Sequence, residues 1–204
     1  MKVKKILIKS FMFTSLVFLS PCNAMDYFSV SFGQSSVDTG ISGLTGTASL
    51  DEEDTTFKLL LGKNIKPSIS VEGFYMDFGE ASLTGNIGDQ FNIEGSTYAF
   101  SVNNAKVTSS ATAFGADTIF LHNFSPTASL YGKLGIVRWD SDFKIAGTGI
   151  SSYSESDSGI DLFLGFGAKV DVNESIQLAA DYEIYDIDDD DVDIISLYLV
   201  FKIK

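Results

Sequence analysis

The sequence predicts an all-β protein: an eight-stranded antiparallel up-and-down barrel that crosses a membrane. Three observations carry this. Segments of about ten residues alternate apolar with small or charged side chains, as a strand with two unlike faces does, and that is near the length that crosses a bilayer as a tilted strand. No segment after the first 24 residues approaches the ~18 consecutive apolar residues of a membrane helix, so a spanning chain must close its sheet, because an open edge cannot be satisfied in lipid. The connections alternate between tight turns and long loops, the asymmetry of membrane barrels with short periplasmic turns and long extracellular loops.

The clearest strand is the sixth, Gly159 to Asp171. Ile160, Leu162, Leu164, Phe166, Ala168 and Val170 alternate with Asp161, Phe163, Gly165, Gly167, Lys169 and Asp171. The first strand, Asp26 to Ser35, places Phe28, Val30 and Phe32 opposite Ser29, Ser31 and Gly33. The second, Thr55 to Lys63, sets Phe57, Leu59 and Leu61 against Lys58, Leu60 and Gly62. The third, Ser68 to Phe78, sets Ile69, Val71 and Tyr75 against Ser70, Glu72, Phe74 and Met76. The fourth, Ser110 to Asn123, alternates least cleanly, with Phe114, Ala116 and Phe120 on one face and Gly115 and Asp117 on the other. The fifth, Ala128 to Asp140, has Leu130, Leu134 and Ile136 opposite Tyr131, Lys133, Gly135, Val137 and Trp139. The seventh, Ser175 to Tyr185, and the eighth, Val192 to Ile203, repeat the pattern; Asp181 and Glu183 share the polar face of the seventh. These are period-2 signals, and none reads at helical spacing.

Turn residues at 64–67, 124–127 and 172–174 make the short links. The long links are Ser36 to Asp54, Gly79 to Ser109 and Ser141 to Ser158, and the last, Asp186 to Asp191, is shorter. Gln90 to Phe100 reads as an extension of the third and fourth strands past the membrane. An even strand count puts both termini on the periplasmic side.

Alternation alone leaves a soluble lipocalin-type barrel as the rival, with the apolar face inward. The second face argues against it. A solvated face would be crowded with Lys and Glu, whereas this one holds glycine, serine and alanine with a few charges of both signs. Lys58, Lys133, Lys169 and Lys202 are set against Glu72, Asp161, Asp181 and Glu183, with Asp117 and Asp171 as extras. Opposite charges within a lumen can pair, which makes their burial tolerable. The expectation is an internal salt-bridge network that closes the barrel to bulk flow, with Lys169 and Asp171 near the periplasmic rim.

Lys2, Lys4, Lys5 and Lys9, then the apolar run Phe11 to Leu19, then Cys22-Asn23-Ala24, read as a signal peptide over residues 1–24, removed after Ala24. A lipoprotein reading at Cys22 is disfavoured by Pro21 before it. Residues 25–204 then form one barrel domain without cysteine, held by its own hydrogen bonding. They retain 10 basic residues against 27 acidic, a balance of −17, which argues against nucleic acid as a partner and against adhesion to bare anionic headgroups.

Over essentially all of Met25 to Lys204 the chain resembles the small eight-stranded outer-membrane barrels, the OmpA transmembrane-domain and OmpX/Ail group. The local carriers are Ser70-Val71-Glu72-Gly73-Phe74-Tyr75-Met76-Asp77-Phe78-Gly79 and Tyr131-Gly132-Lys133-Leu134-Gly135-Ile136-Val137-Arg138-Trp139. The final strand resembles the signal read by the barrel-assembly machinery, although Phe201 is followed by Lys202-Ile203-Lys204. The resemblance implies a bacterial outer-membrane location, lipid and lipopolysaccharide around the barrel, and assembly by that machinery. No peptidoglycan-binding domain follows, so wall tethering is not implied.

No catalytic residue, cofactor or metal site is expected. His122, the single histidine, falls beside the turn at 124–127 and reads as structural. The run Asp186-Ile187-Asp188-Asp189-Asp190-Asp191-Val192-Asp193 has the oxygen density of a Ca²⁺ loop without its spacing. With Asp51-Glu52-Glu53-Asp54 it reads as a solvated acidic rim, one that divalent ions could bridge to lipopolysaccharide. Gly40, Gly43 and Gly46 mark a flexible loop. The expected function is structural, or surface interaction such as adhesion or resistance to host factors through the long loops. The alternatives are a narrow low-conductance pore and a soluble periplasmic lipocalin-like binder.

Overall fold

The computed structural model of the protein describes residues 25–93, 95–187 and 190–203, apart from the side chain of Asp190. The leader, residues 1–24, lies outside them. Among the described residues twelve strands run in chain order: β1 Tyr27–Val37, β2 Ile41–Ser42, β3 Ser49–Asp51, β4 Glu53–Lys66, β5 Ile69–Gly85, β6 Gln90–Ile93, β7 Ser96–Ala99, β8 Ala105–Asn123, β9 Ala128–Ala146, β10 Tyr153–Asp171, β11 Ile176–Ile187 and β12 Asp190–Lys202. Eight of them, β1, β4, β5, β8, β9, β10, β11 and β12, pair each with the next, all antiparallel, and β12 returns to β1 to close the barrel. Closure removes both sheet edges, which is what allows a sheet to sit in lipid.

The side-chain alternation resolves as the sequence predicts, on every barrel strand. Phe28, Val30 and Phe32 point out while Ser29 and Ser31 are buried. Leu162 and Leu197 stand 66% and 69% exposed although wholly apolar. Such side chains continue around the barrel as a band that ends in polar residues at Gln34, Asp77, Arg138, Asp186 and Asp193. An apolar belt outside a polar lumen is the arrangement of a membrane barrel and the inverse of a lipocalin. Aromatic pairs lie on the belt: Phe28–Phe201 is stacked at 4.8 Å toward the termini, and Phe32–Phe57 and Tyr75–Phe114 lie at 5.3 and 5.0 Å toward the loops.

The barrel is lopsided. β11 and β12 turn back just above the belt, whereas β5, β8, β9 and β10 continue well beyond it. β8 and β9 pair from Asn123↔Ser129 to Lys106↔Ala146, and β9 and β10 pair up to Ile145↔Tyr153. The segment Ser141 to Ser158 is therefore mostly strand rather than a long loop, with a link at 147–152. The β10–β11 ladder starts only at Phe163↔Tyr185, so, among the described residues, 153–162 of β10 pair with β9 alone.

Gln90–Phe100 also differs from expectation. It does not lengthen the third and fourth strands; it forms the β6–β7 hairpin, which pairs with β2 in a separate three-stranded sheet. What lengthens the barrel is β5 up to Gly85 and β8 from Ala105. β5 does so through a bulge between Asp77 and Glu80, where Gly79 has φ 84°. A left-handed residue suits glycine, and a Cβ there would press on Asp54. Beyond the bulge Ala81 and Leu83 face inward, and Leu83, Phe100 and Ala105 form a second small core with Ile41, Leu50 and Val107 against it. The first two loops are thus folded onto the raised sheet.

Candidate functional site

The lumen is filled by a charged cluster wrapped in aromatic rings. Lys58 on β4 reaches across to Glu183 on β11, with Nζ 2.8 and 2.9 Å from the two carboxylate oxygens, and also donates to Tyr185 Oη at 3.0 Å. Lys133 on β9 donates to Asp181 and, at 2.9 Å, to Glu183. Lys58 and Glu183 are wholly buried. Lys58 Nζ also lies 4.0 Å from the Phe74 ring centre and Lys133 Nζ 4.7 Å from that of Tyr198. A buried ion is tolerable when its remaining donors and acceptors are met, and here rings and carboxylates surround both ammonium groups. The inward glycines make room: a Cβ on Gly115 would strike the ring of Phe74, and one on Gly135 the ring of Phe163.

Two of the expected acids are met by aromatic donors rather than by lysine. Glu72 pairs with no lysine among the described residues; it accepts a hydrogen bond from Tyr27 Oη at 2.6 Å. Asp161 accepts from Trp139 Nε1, also at 2.6 Å. Lys202 pairs with Asp171 at the half-exposed periplasmic rim. Asp117, directly across from Glu72 in the β5–β8 ladder, is buried with no donor to either oxygen among the described residues.

At the extracellular end the lumen is stoppered by apolar groups. Phe78, Ile187 and Val192 are buried there, with Phe78 edge-on to Tyr185 at 5.1 Å. Toward the periplasm a cavity of about 30 Å³ lies among Glu72, Tyr131, Lys133 and Lys169.

Above the stopper, the inner side of the raised sheet and the first loop enclose a groove of about 360 Å³. Ile41, Leu83, Val107 and Phe143 supply its apolar surface, and Glu155 and Asp157 of β10 its acidic side. These residues are far apart in sequence, and no local pattern marks them. The loops around the groove are pinned by carboxylates. Glu52 accepts from the N–H and hydroxyl of Thr39, and Asp54 from the N–H of Glu80 at 2.7 Å. Asp89 accepts from Thr47 Oγ1 at 2.6 Å and from the N–H of Asn86 at 2.9 Å. The Thr47 hydroxyl chiefly, and then the backbone amide of Asn86, hold the Asp89 carboxyl below the usual carboxylate range.

The two acidic runs lie at one rim on either side of residues 37–38: the N–H of Val37 donates to the carbonyl of Glu52 at 3.0 Å and that of Asp38 to the carbonyl of Asp191 at 3.1 Å. Asp188 and Asp189 lie outside the described residues. His122 is exposed on β8 beside the periplasmic turn, on the opposite end from the groove.

A closed eight-stranded barrel with this belt has known counterparts. The model of the outer membrane protein beta-barrel domain matches residues 13–202. The chain belongs to that family. Its members are proteins of the bacterial outer membrane, and the apolar belt places this one there too. Among solved structures it is similar to Ail, the attachment invasion locus protein of Yersinia pestis, in complex with the heparin analogue sucrose octasulfate; identity is 18%, coverage 88% of this chain and 99% of that one, and the TM-score 0.53. It is also similar to Neisserial surface protein A, at 12% identity, 87% and 97% coverage and TM-score 0.55. OprG from Pseudomonas aeruginosa gives 14% identity, 88% and 96% coverage and TM-score 0.50. At such identities the likeness concerns the fold. No curated protein sequence matches the chain.

Proposed function

We propose that this outer-membrane barrel is a surface-interaction protein, closed to solutes, that meets its partner through the extracellular sheet of β5, β8, β9 and β10. The observation that carries the reading is the contrast between the two ends of one molecule. The lumen is filled by packing and ion pairs, while four strands rise beyond the belt and leave residues 153–162 of β10 with an edge unpaired among the described residues. An open edge above a membrane is a site for contact with another chain. The reading includes no enzymatic step. It keeps removal of residues 1–24 on export, insertion by the barrel-assembly machinery, and lipopolysaccharide as the lipid around the belt.

The test replaces Ser141 to Ser158 by a tight turn joining β9 to β10 at Asp140 and Gly159. Cells bearing equal surface amounts of the two proteins are compared for adherence to host cells and for survival in serum. Loss of either property in the shortened variant supports the reading; unchanged adherence and survival refute it. Planar-bilayer recording addresses the pore alternative. The packed lumen supports a silent bilayer, and steady single-channel steps would favour the pore.

A further inference from the structure

We infer that the extracellular groove takes an extended, basic segment of a partner protein, one that alternates Lys or Arg with apolar residues. This rests on the surface-interaction reading and gives the partner a chemistry. Three features of the groove converge on it.

The first is shape. The groove holds about 360 Å³ and lies along the inner side of β8, β9 and β10, beside the unpaired stretch of β10. A segment lying in the groove along β10 would be extended, with one set of alternate side chains turned to the apolar floor and the other to Glu155 and Asp157. The second is the floor. Leu83 and Val107 belong to the small extracellular core, and Phe143 next to them is 38% exposed, so apolar side chains of an incoming segment would find an ordered apolar surface.

The third is charge. Of the nine described Lys and Arg residues after the leader, only Lys106, Arg138 and Lys144 lie above the belt, whereas most of the described acids do. Lys106 is held by Glu80 at 3.0 Å and Arg138 lies 3.7 Å from Asp140. Glu155 and Asp157, which line the groove itself, make no ion pair among the described residues; Glu155 accepts from Tyr153 Oη, and Asp157 from the N–H of Ser158. A polyanion such as the heparin analogue bound by Ail would meet repulsion here. Electrostatic complementarity selects a cationic segment and speeds its arrival.

The experiment uses the full barrel reconstituted in zwitterionic phosphatidylcholine nanodiscs. Three fluorescent decapeptides are titrated by anisotropy: alternating Lys-Val, alternating Lys-Ser and alternating Glu-Val. The expected result is saturable binding of Lys-Val, with Lys-Ser at least about tenfold weaker and Glu-Val not bound. The Glu155→Lys/Asp157→Lys variant, with barrel folding checked by heat-dependent gel mobility, should bind Lys-Val at least about tenfold more weakly. No saturable Lys-Val binding would overturn the inference. So would equal binding of Lys-Val and Lys-Ser, or equal binding to the charge-reversed variant, since either would mean attraction to the acidic surface at large. The outcome is separable from that of the adherence test. Adherence lost on shortening β9 and β10, with no Lys-Val binding, overturns the partner chemistry alone. Lys-Val binding with adherence and serum survival unchanged overturns the surface role and leaves the groove's ligand class standing.

Discussion

At the scale of single residues, Glu183 is the pivot of the lumen. It takes Lys58 on one side and Lys133 on the other, so its loss strands two buried ammonium groups at once. Glu183→Ala should cost about 3–5 kcal/mol, the range for removing one partner of a buried pair, measured by urea unfolding of the barrel refolded in lipid. An unchanged unfolding midpoint would contradict the network. Asp117 makes the opposite case. It faces Glu72 with neither of its own oxygens satisfied, and one Glu72 oxygen is also without a donor. Asp117→Asn removes the second carboxylate and brings in an amide donor for the first. It should raise stability by about 1–3 kcal/mol in the same assay, the desolvation cost of an unmet polar group. Which lysine meets which acid was hidden from the sequence for a geometric reason. Lys58 and Glu183 are 125 residues apart and meet across the lumen, so barrel closure and stagger set the pairing.

At the scale of elements, alternation located all eight barrel strands and the outward face of each, because a sheet between lipid and a packed lumen has two unlike surroundings at every residue. It failed above the belt. Tyr153-Ser154-Glu155-Ser156-Asp157-Ser158 is strand, yet its six residues are exposed and no face is apolar. Periodicity reports burial rather than backbone pairing, so a strand wet on both faces resembles a loop. The folded state of the first two loops rests on Phe100, which packs against Leu83 and Ala105 and lies 5.0 Å from Phe91. Phe100→Ala should cost about 3–5 kcal/mol locally. The expected outcome is rapid protease cleavage within residues 86–104 while the heat-dependent gel shift of the barrel persists; simultaneous loss of both would show one cooperative unit. Asp89 ties the same region to pH. Its carboxyl pKa is lowered in the folded state, so its contribution is complete above the unfolded value and fades as pH falls through the lowered one. Carbon-13 NMR of the Asp89 carboxyl should show it titrating below the ordinary aspartate range, and Asp89→Asn should abolish the loss of Asn86 amide protection that accompanies acidification.

At the scale of the molecule, membrane, lumen and surface divide the chain's chemistry. The belt fixes how the barrel sits, the lumen holds it rigid, and the acid-rich raised sheet is what the cell presents. The family and the outer-membrane location were legible from strand length, turn asymmetry and the paired charges. The groove was not, since Ile41, Leu83, Val107, Phe143 and Glu155 come together only after β2, β5, β8, β9 and β10 are folded. Everything proposed for function depends on that sheet facing the outside of the cell, and cysteine labelling tests this most directly. The chain's one cysteine is Cys22, so single cysteines can be placed at Ser156 and Ser125 in a Cys22→Ala background. On intact cells a membrane-impermeant maleimide should label Ser156→Cys, and should reach Ser125→Cys only after the outer membrane is permeabilised. Labelling of Ser125→Cys on intact cells, with Ser156→Cys protected, would invert the barrel and contradict the account.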